Sequence, residues 1–349
     1  MLNETRAQTK TQADGTMAAS MVVATVAFAV AQGISMERIT EVSGLVLTDL
    51  LDPEARIPSR CAPAIWRLLR EHFPGQAIPL RMADCIPPSF FGPMAHAGEH
   101  AASLRAALET LMQYRVLLSP ELEISLHECD GEARVYVFHP ADLEDYGWGS
   151  QSAMALGVRF IREVMGLSGF LKGVEFAHAP IGALEEYQAF FGVPLEFNRP
   201  SNVVILHAEL LDVPLRRADP RWFSSTRSHL DIAQEKLLTS AKQEGLEKIR
   251  QAIARCMSEG RFSAEAVARV SGMSLRTLQR RTLVHNMTLQ ALMNEARQLH
   301  ACQLLRDDSL SMEEIAVRLG YSTEGAFRRA FVRWLGVTPS RWRKENMAG

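Results

Sequence analysis

Cysteine is scarce and badly arranged for any framework role. The five in 349 residues (Cys61, Cys85, Cys129, Cys256 and Cys302) are odd in number and show no CxxC spacing. That pattern argues against disulfides or zinc and for reduced, structural thiols in a cytoplasmic protein. No GxSxG, Walker loop or GxGxxG stands between a strand and a helix, so no catalytic constellation is found and the chain is not read as an enzyme. His96 and His100 have the i, i+4 spacing of helical metal ligands, with Glu99 beside them. Lacking a third-ligand signature, they read as solvated or hydrogen-bonded side chains and not as a metal site. Long membrane-type runs are also missing. Met17 to Gln32 is apolar but too short to be read as a span, and Asp14 interrupts any basic leader ahead of it. It reads as a buried helix followed by Gly33, with no targeting or membrane segment.

Charge is plentiful but divided. From Glu247 onward there are 17 Lys+Arg and 10 Asp+Glu, a net of +7, whereas the first 246 residues carry 21 and 30, a net of −9. The overall charge of −2 therefore hides a basic C-terminal region beside an acidic N-terminal one. A basic module gains affinity for nucleic acid by releasing counterions from phosphates.

That basic region contains one helix–turn–helix pattern twice. Phe262-Ser263-Ala264-Glu265-Ala266-Val267-Ala268 leads to Gly272-Met273-Ser274 and Leu278-Gln279-Arg280-Arg281; Leu310-Ser311-Met312-Glu313-Glu314-Ile315-Ala316 leads to Gly320-Tyr321-Ser322 and Phe327-Arg328-Arg329. Ser263 and Ser311 lie 48 positions apart, as do Gly272 and Gly320, and Leu278 and Phe327 lie 49 apart. Ser263 and Ser311 stand at N-cap positions, and Glu314 completes a capping box that Ala266 cannot. Phe262 with Val267, and Leu310 with Ile315, have the spacing of a hydrophobic staple. Gly272 and Gly320 fall where a helix ends in a left-handed residue. Ser274 and Thr323 then cap the second helix of each pair. Two such units on one chain suit a protein that reads two neighbouring stretches of DNA.

On the first recognition helix Arg276, Gln279 and Arg280 share a face, opposite inward Leu275, Leu278 and Thr282. Arginine can bind guanine bidentately and glutamine can bind adenine, so these three suit base reading in the major groove; Thr277 joins the candidate set. On the second, Phe327, Phe331 and Trp334 form the core stripe, turning Glu324, Gly325, Arg328 and Arg329 to other faces, with Thr323 at the cap. An alternative for Glu324 and Arg328 is a surface ion pair at i, i+4. Between the copies, Leu289 to Leu305 reads as one helix, roughly 25 Å long at 1.5 Å per residue. Such a strut suits two probes set about one DNA turn apart, on the order of 34 Å.

Residues 249–343 resemble the C-terminal DNA-binding domain of AraC/XylS-type regulators. The resemblance rests on the segments just quoted, on Arg297, Ala301 and Leu304-Leu305, on Ala326-Phe327-Arg328-Arg329-Ala330-Phe331, and on Trp334-Leu335-Gly336-Val337-Thr338-Pro339-Ser340. It implies base contact by Arg276, Gln279 and Arg280, and by Glu324, Gly325 and Arg328, with Arg329 on phosphate or orienting the helix. Four positions depart from the family pattern: Thr282 replaces a core leucine, Asn286 a helix-ending glycine, and Gly325 and Arg328 small polar residues. Residues of about 20–215 are similar to the arabinose-binding-like domain of one branch of these regulators. This second match is carried by Tyr187-Gln188-Ala189-Phe190-Phe191-Gly192-Val193-Pro194, Phe197, Val203-Val204-Ile205-Leu206 and Leu211-Asp212-Val213-Pro214-Leu215. No set of aromatic faces against paired polar groups marks a sugar site.

Within the N-terminal part, a helix is expected over 100–114, a hairpin of strands 122–126 and 134–138 around Asp130-Gly131, and a helix over 151–165. A strand over 173–177, a helix over 184–191, a strand over 202–207 and a linker helix over 229–241 follow. The expected fold is an α+β N-terminal sensor domain followed by an all-α DNA-binding domain with two helix-turn-helix motifs joined by a long helix. Its expected divisions are a flexible tail (1–15), a ligand-binding or dimerisation domain (16–215), a linker with a helix (216–246) and the double helix-turn-helix domain (247–345). The function expected is a cytoplasmic, sequence-specific transcriptional regulator, an effector-responsive activator. Its expected partners are double-stranded DNA at two adjacent major-groove segments, a second copy of the chain, RNA polymerase and a small-molecule effector of unspecified identity, with no cofactor. Two other readings are weighed: a ligand-independent regulator whose N-terminal domain only oligomerises or binds protein, and an enzyme fused to a DNA-binding module.

Overall fold

A computed structural model describes residues 15–52, 55–87 and 92–346; residues 1–14 of the expected tail lie outside the described residues. The chain divides into two compact units, Met1–Lys236 and Leu237–Gly349.

In the first unit Thr16–Ala18 (β1) pairs antiparallel with Arg56–Pro58 (β2), Met17 opposite Ile57. The apolar run then forms α1, Ser20–Ala31, and turns at left-handed Gly33. Helices α2 (Met36–Ser43), α3 (Cys61–His72) and α4 (Ile78–Cys85) follow; burial of Phe28, Ile39, Ile65 and Leu69 makes one core. Trp66 and Trp148 meet edge-on within it, ring centroids 5.9 Å apart.

Beyond α5 (Pro93–Glu99) comes α6, Leu104–Leu118, four residues later than its expected start. The reason is local: Ser103 accepts the amide of Ala106 and sets the N-terminus there. Strands β3 (Glu123–Cys129) and β4 (Glu132–Phe138) form the hairpin, with Asp130 and Gly131 both at positive φ, as a tight two-residue turn requires. After α7 (Asp142–Asp145) and α8 (Trp148–Glu163) come β5 (Leu171–Glu175), α9 (Leu184–Phe191), β6 (Leu195–Glu196) and β7 (Asn202–His207). The sheet order is β3-β4-β7-β5-β6, antiparallel except for β5 with β6. Ala133, Val135 and Val137 alternate inward from β4 and join Val204, Leu206, Leu108 and Met154 in a second core.

The linker helix is longer than expected. Helix α10 runs from Pro220 to Ser258, with proline tolerated in its first turn. Its early part packs in the first unit, where Leu230 joins Tyr114 and the Tyr114 hydroxyl donates to Asp231 at 2.6 Å. In the second unit, Ile249, Ile253 and Cys256 of α10 pack with α11 (Ala264–Val270), α12 (Leu275–Leu283) and Leu289, Leu292 and Met293 of α13 (Leu289–Leu304). The second half repeats the arrangement: Ala301 of α13 and Leu305 beyond it join α14 (Met312–Arg318), α15 (Glu324–Leu335) and α16 (Pro339–Asn346). All five cysteines are free thiols.

Candidate nucleic-acid interface and an apolar chamber

Each recognition helix is positioned by the same chemistry. Ser263 and Ser311 accept the amides of Ala266 and Glu314 at 3.1 Å. The Glu314 carboxylate in turn accepts the Ser311 amide at 2.8 Å, closing the capping box. The turns match bond for bond. Gly272 (φ 63°) and Gly320 (φ 77°) take left-handed backbone; the amides of Met273 and Tyr321 donate to Ala268 and Ala316, both at 2.9 Å. Ser274 and Thr323 then accept the amides of Thr277 and Ala326 at 3.2 Å, starting α12 and α15.

On α12 the split between faces follows the sequence pattern. Leu278 and Thr282 are buried, Leu275 is half-buried against the same core, and Arg276, Gln279 and Arg280 are exposed. Among the described residues nothing hydrogen-bonds or ion-pairs with the side chains of those three. Thr277 differs: half-buried, its hydroxyl lies 2.8 Å from that of Ser274. Buried Thr282 meets its hydrogen-bonding need by donating to the Gln279 carbonyl at 2.9 Å. Asn286 takes the left-handed turn (φ 55°) that a glycine would otherwise supply.

On α15, Phe327 and Phe331 are buried and Trp334 packs beside them, while Thr323, Glu324, Arg328 and Arg329 are exposed. No ion pair joins Glu324 to Arg328 among the described residues, so that alternative is not realised. A Cβ added at Gly325 would sit 3.6 Å from a terminal nitrogen of Arg329. Helix α13 spans about 24 Å at 1.5 Å per residue. Its Leu299 is 62% exposed and belongs to neither core. Arg297 has a structural place that spacing alone did not reveal. Its guanidinium lies over Phe262 of the first motif (4.5 Å) and Tyr321 of the second (5.4 Å). Burial lowers its pKa, and its Nε has no hydrogen-bond partner.

His96, Glu99 and His100 do bring their ligand atoms within 4.8 Å of one another. Two of the three are engaged by the chain itself. Glu99 pairs with Arg217, and the His100 Nδ1 lies 3.0 Å from the Arg217 carbonyl.

The first unit holds a chamber of about 280 Å³, partly open, between its two cores. Met21, Trp66, Met82, Leu108, Val137 and Met154 are among its walls. Asp142 and Asp145, just before the start of α8, also line it. Asp145 accepts the amides of Gly147 (2.9 Å) and Gly149 (3.2 Å), and Asp142 accepts the Ser150 hydroxyl (2.6 Å). The other Asp142 oxygen, Oδ1, is buried and unpartnered. Burial and the neighbouring Asp142 charge push Asp145 up to about 7. Nothing in the sequence pointed to these residues, because the chamber is assembled from stretches of chain scattered between Met17 and Leu206.

The family model of the arabinose-binding domain of AraC transcription regulators matches residues 33–215, and that of a helix-turn-helix domain matches residues 267–345. The HTH-type transcriptional regulator VirS of Mycobacterium tuberculosis is 28% identical over 271 residues, spanning 76% of this chain and 77% of VirS. The ornithine utilization regulator of Pseudomonas aeruginosa is 29% identical over 279 residues, 77% of this chain and 78% of its own. The solved transcriptional regulator CdpR of Pseudomonas aeruginosa aligns over 96% of this chain and 100% of its own, at 19% identity and a TM-score of 0.47. With its twinned, capped recognition helices and both family matches, the chain belongs to the AraC-type transcription regulators and is a sequence-specific DNA-binding protein.

Proposed function

We propose that this regulator is an effector-responsive activator that reads two successive major-groove segments with α12 and α15. Arg276, Gln279 and Arg280 contact base edges from α12. Glu324 and Arg328 contribute from α15 with less specificity, and Arg329 lies on phosphate. Thr277 and Thr323, whose hydroxyls sit in the helix caps, position the first turns against the backbone. The observation that carries this reading is the exposed and unpartnered state of Arg276, Gln279 and Arg280 on a helix otherwise fixed by its cap and core. A polar side chain with no intramolecular partner is free to exchange water for a base. The N-terminal unit is proposed to sense a small molecule and to dimerise. Trp222 and Ile232, 63% and 65% exposed on α10, offer apolar surface to a second copy. RNA polymerase contact and a cytoplasmic location go with an activator; no helix among the described residues is long and apolar enough to cross a membrane. Duplexes selected from a random pool by the full chain, then footprinted, test the reading. Protection of two segments about 10–10.5 bp apart is expected, and protection of one segment alone would contradict it.

A further inference from the structure

The family description mentions arabinose, yet the chamber's chemistry suits a different molecule. A sugar offers hydroxyls all round and needs polar partners on several sides. Here the described lining is mostly aliphatic, thioether and aromatic; its hydroxyls are those of Ser20, Thr25, Ser150 and Ser152, and its titratable groups are Asp142, Asp145 and His139. No lysine or arginine is among the described lining residues, and burial lowers the pKa of His139 and keeps it neutral, so nothing there would neutralise an anionic head. Both carboxyls already draw on amides and a hydroxyl at the start of α8, and as acidic groups with no cation beside them they favour a donating head over an anionic one. Six methionines (Met17, Met21, Met82, Met94, Met154 and Met165) line the rest, and flexible thioethers adapt to irregular apolar shapes.

We infer that the chamber binds a compact, largely apolar molecule whose single hydrogen-bond-donating head, an ammonium or a hydroxyl, is held by Asp142 and Asp145. The volume, near the lower end of the ~300–1,000 Å³ of small-molecule sites, fits a short chain or one ring and not an extended lipid. This rests on the proposed sensing role of the N-terminal unit and names the class of effector for it.

The test uses the full chain at pH 7.5 with four probes: hexylamine, hexan-1-ol, hexanoate and L-arabinose, followed by calorimetry and thermal melting. Binding by hexylamine, hexan-1-ol or both is expected, each raising the melting temperature, with hexanoate and arabinose at least about tenfold weaker, the value of a charge-assisted hydrogen bond. Asp142→Asn should weaken hexylamine by about tenfold or more. Ala107→Leu, which adds bulk at a buried position of the lining, should weaken binding of either probe by about tenfold or more. Equal or tighter binding of hexanoate or arabinose would overturn the inference. So would hexylamine binding that ignores both substitutions, or the absence of binding by all four probes. The footprint on the same preparations separates the failures: protection retained with no donor-headed probe bound sinks this inference alone, and protection lost sinks the regulator reading itself.

Discussion

Arg276 and Asp145 show how the same polar chemistry has opposite consequences on the surface and in the interior. Arg276 is exposed and unpartnered on α12, so its truncation leaves folding almost untouched and is felt only when DNA is bound. Arg276→Ala should cost about 1–3 kcal/mol of specific binding and relax the preference at one base pair, read by competition against single-base variants of the selected duplex. Unchanged affinity and unchanged base preference would move the reading role to another residue. Asp145 is buried, and its folded pKa, raised to about 7, lies above its unfolded value. A carboxyl raised in this way stabilises the fold fully below about pH 3.9, and that contribution is lost as pH rises through about 7. His139 and His178 work in the other sense: burial lowers both, so they gain stability as pH rises towards 6.5. Comparison of wild type with Asp145→Asn cancels the histidines. The variant, which keeps an acceptor for only one of the Gly147 and Gly149 amides and so starts lower, should gain on wild type between pH 5 and pH 7.5, by about 2–4 °C in Tm for each kcal/mol relieved. Parallel curves would show that the carboxyl does not titrate in that window.

Helices whose ends are encoded by short-range chemistry could be read from the sequence, and those placed by tertiary packing could not. The caps at Ser263, Ser274, Ser311 and Thr323, and the turns at Gly272 and Gly320, follow from residue type and spacing, and the structure realises each of them. The strands around Asp130-Gly131 were readable for the same reason. By contrast, α3 and α4 carry no side-chain cap, and β1 and β2 are three-residue strands fixed by pairing partners about forty positions apart. Arg297 lies between these cases. Its identity was visible, but its role depends on Phe262 and Tyr321 meeting it from separate motifs. Since the two motifs keep separate cores, α13 and this stacked guanidinium are what relate one recognition helix to the other. Arg297→Met keeps the stem and removes the cation. It should leave helicity intact while weakening duplexes that carry both segments by about tenfold, on the order of two cation–π contacts at ~0.5–1 kcal/mol each. Duplexes with only the α12 segment should bind almost as before. Equal losses on both would assign Arg297 to phosphate contact instead of spacing.

Across the whole chain, an overall charge of −2 conceals a division, +7 from Glu247 onward against −9 before it, and this division was fully readable from sequence. The chamber was not, since its walls come from helices and strands scattered between Met17 and Leu206 that only the fold brings together. The charge division has a measurable consequence. Counterion release scales with the number of phosphates neutralised, with log K falling by roughly 0.9 per contact for each tenfold rise in salt. The contacts are expected from the basic unit, since the acidic one has a net negative charge that repels phosphate, screened beyond about 8 Å at physiological ionic strength. Arg281 and Arg329, exposed beside the proposed base-reading positions, are the side chains best placed to meet phosphate alone. Arg281→Gln and Arg329→Gln should each lower the salt slope by about 1 and weaken cognate and random duplexes by the same factor. Arg276→Ala should instead weaken the cognate duplex more than the random one. Filter-binding titrations between 50 and 200 mM salt distinguish the two behaviours. A slope unchanged by either glutamine would place the phosphate contacts on the backbone amides of the capped helix starts, where Ser274 and Thr323 already orient α12 and α15.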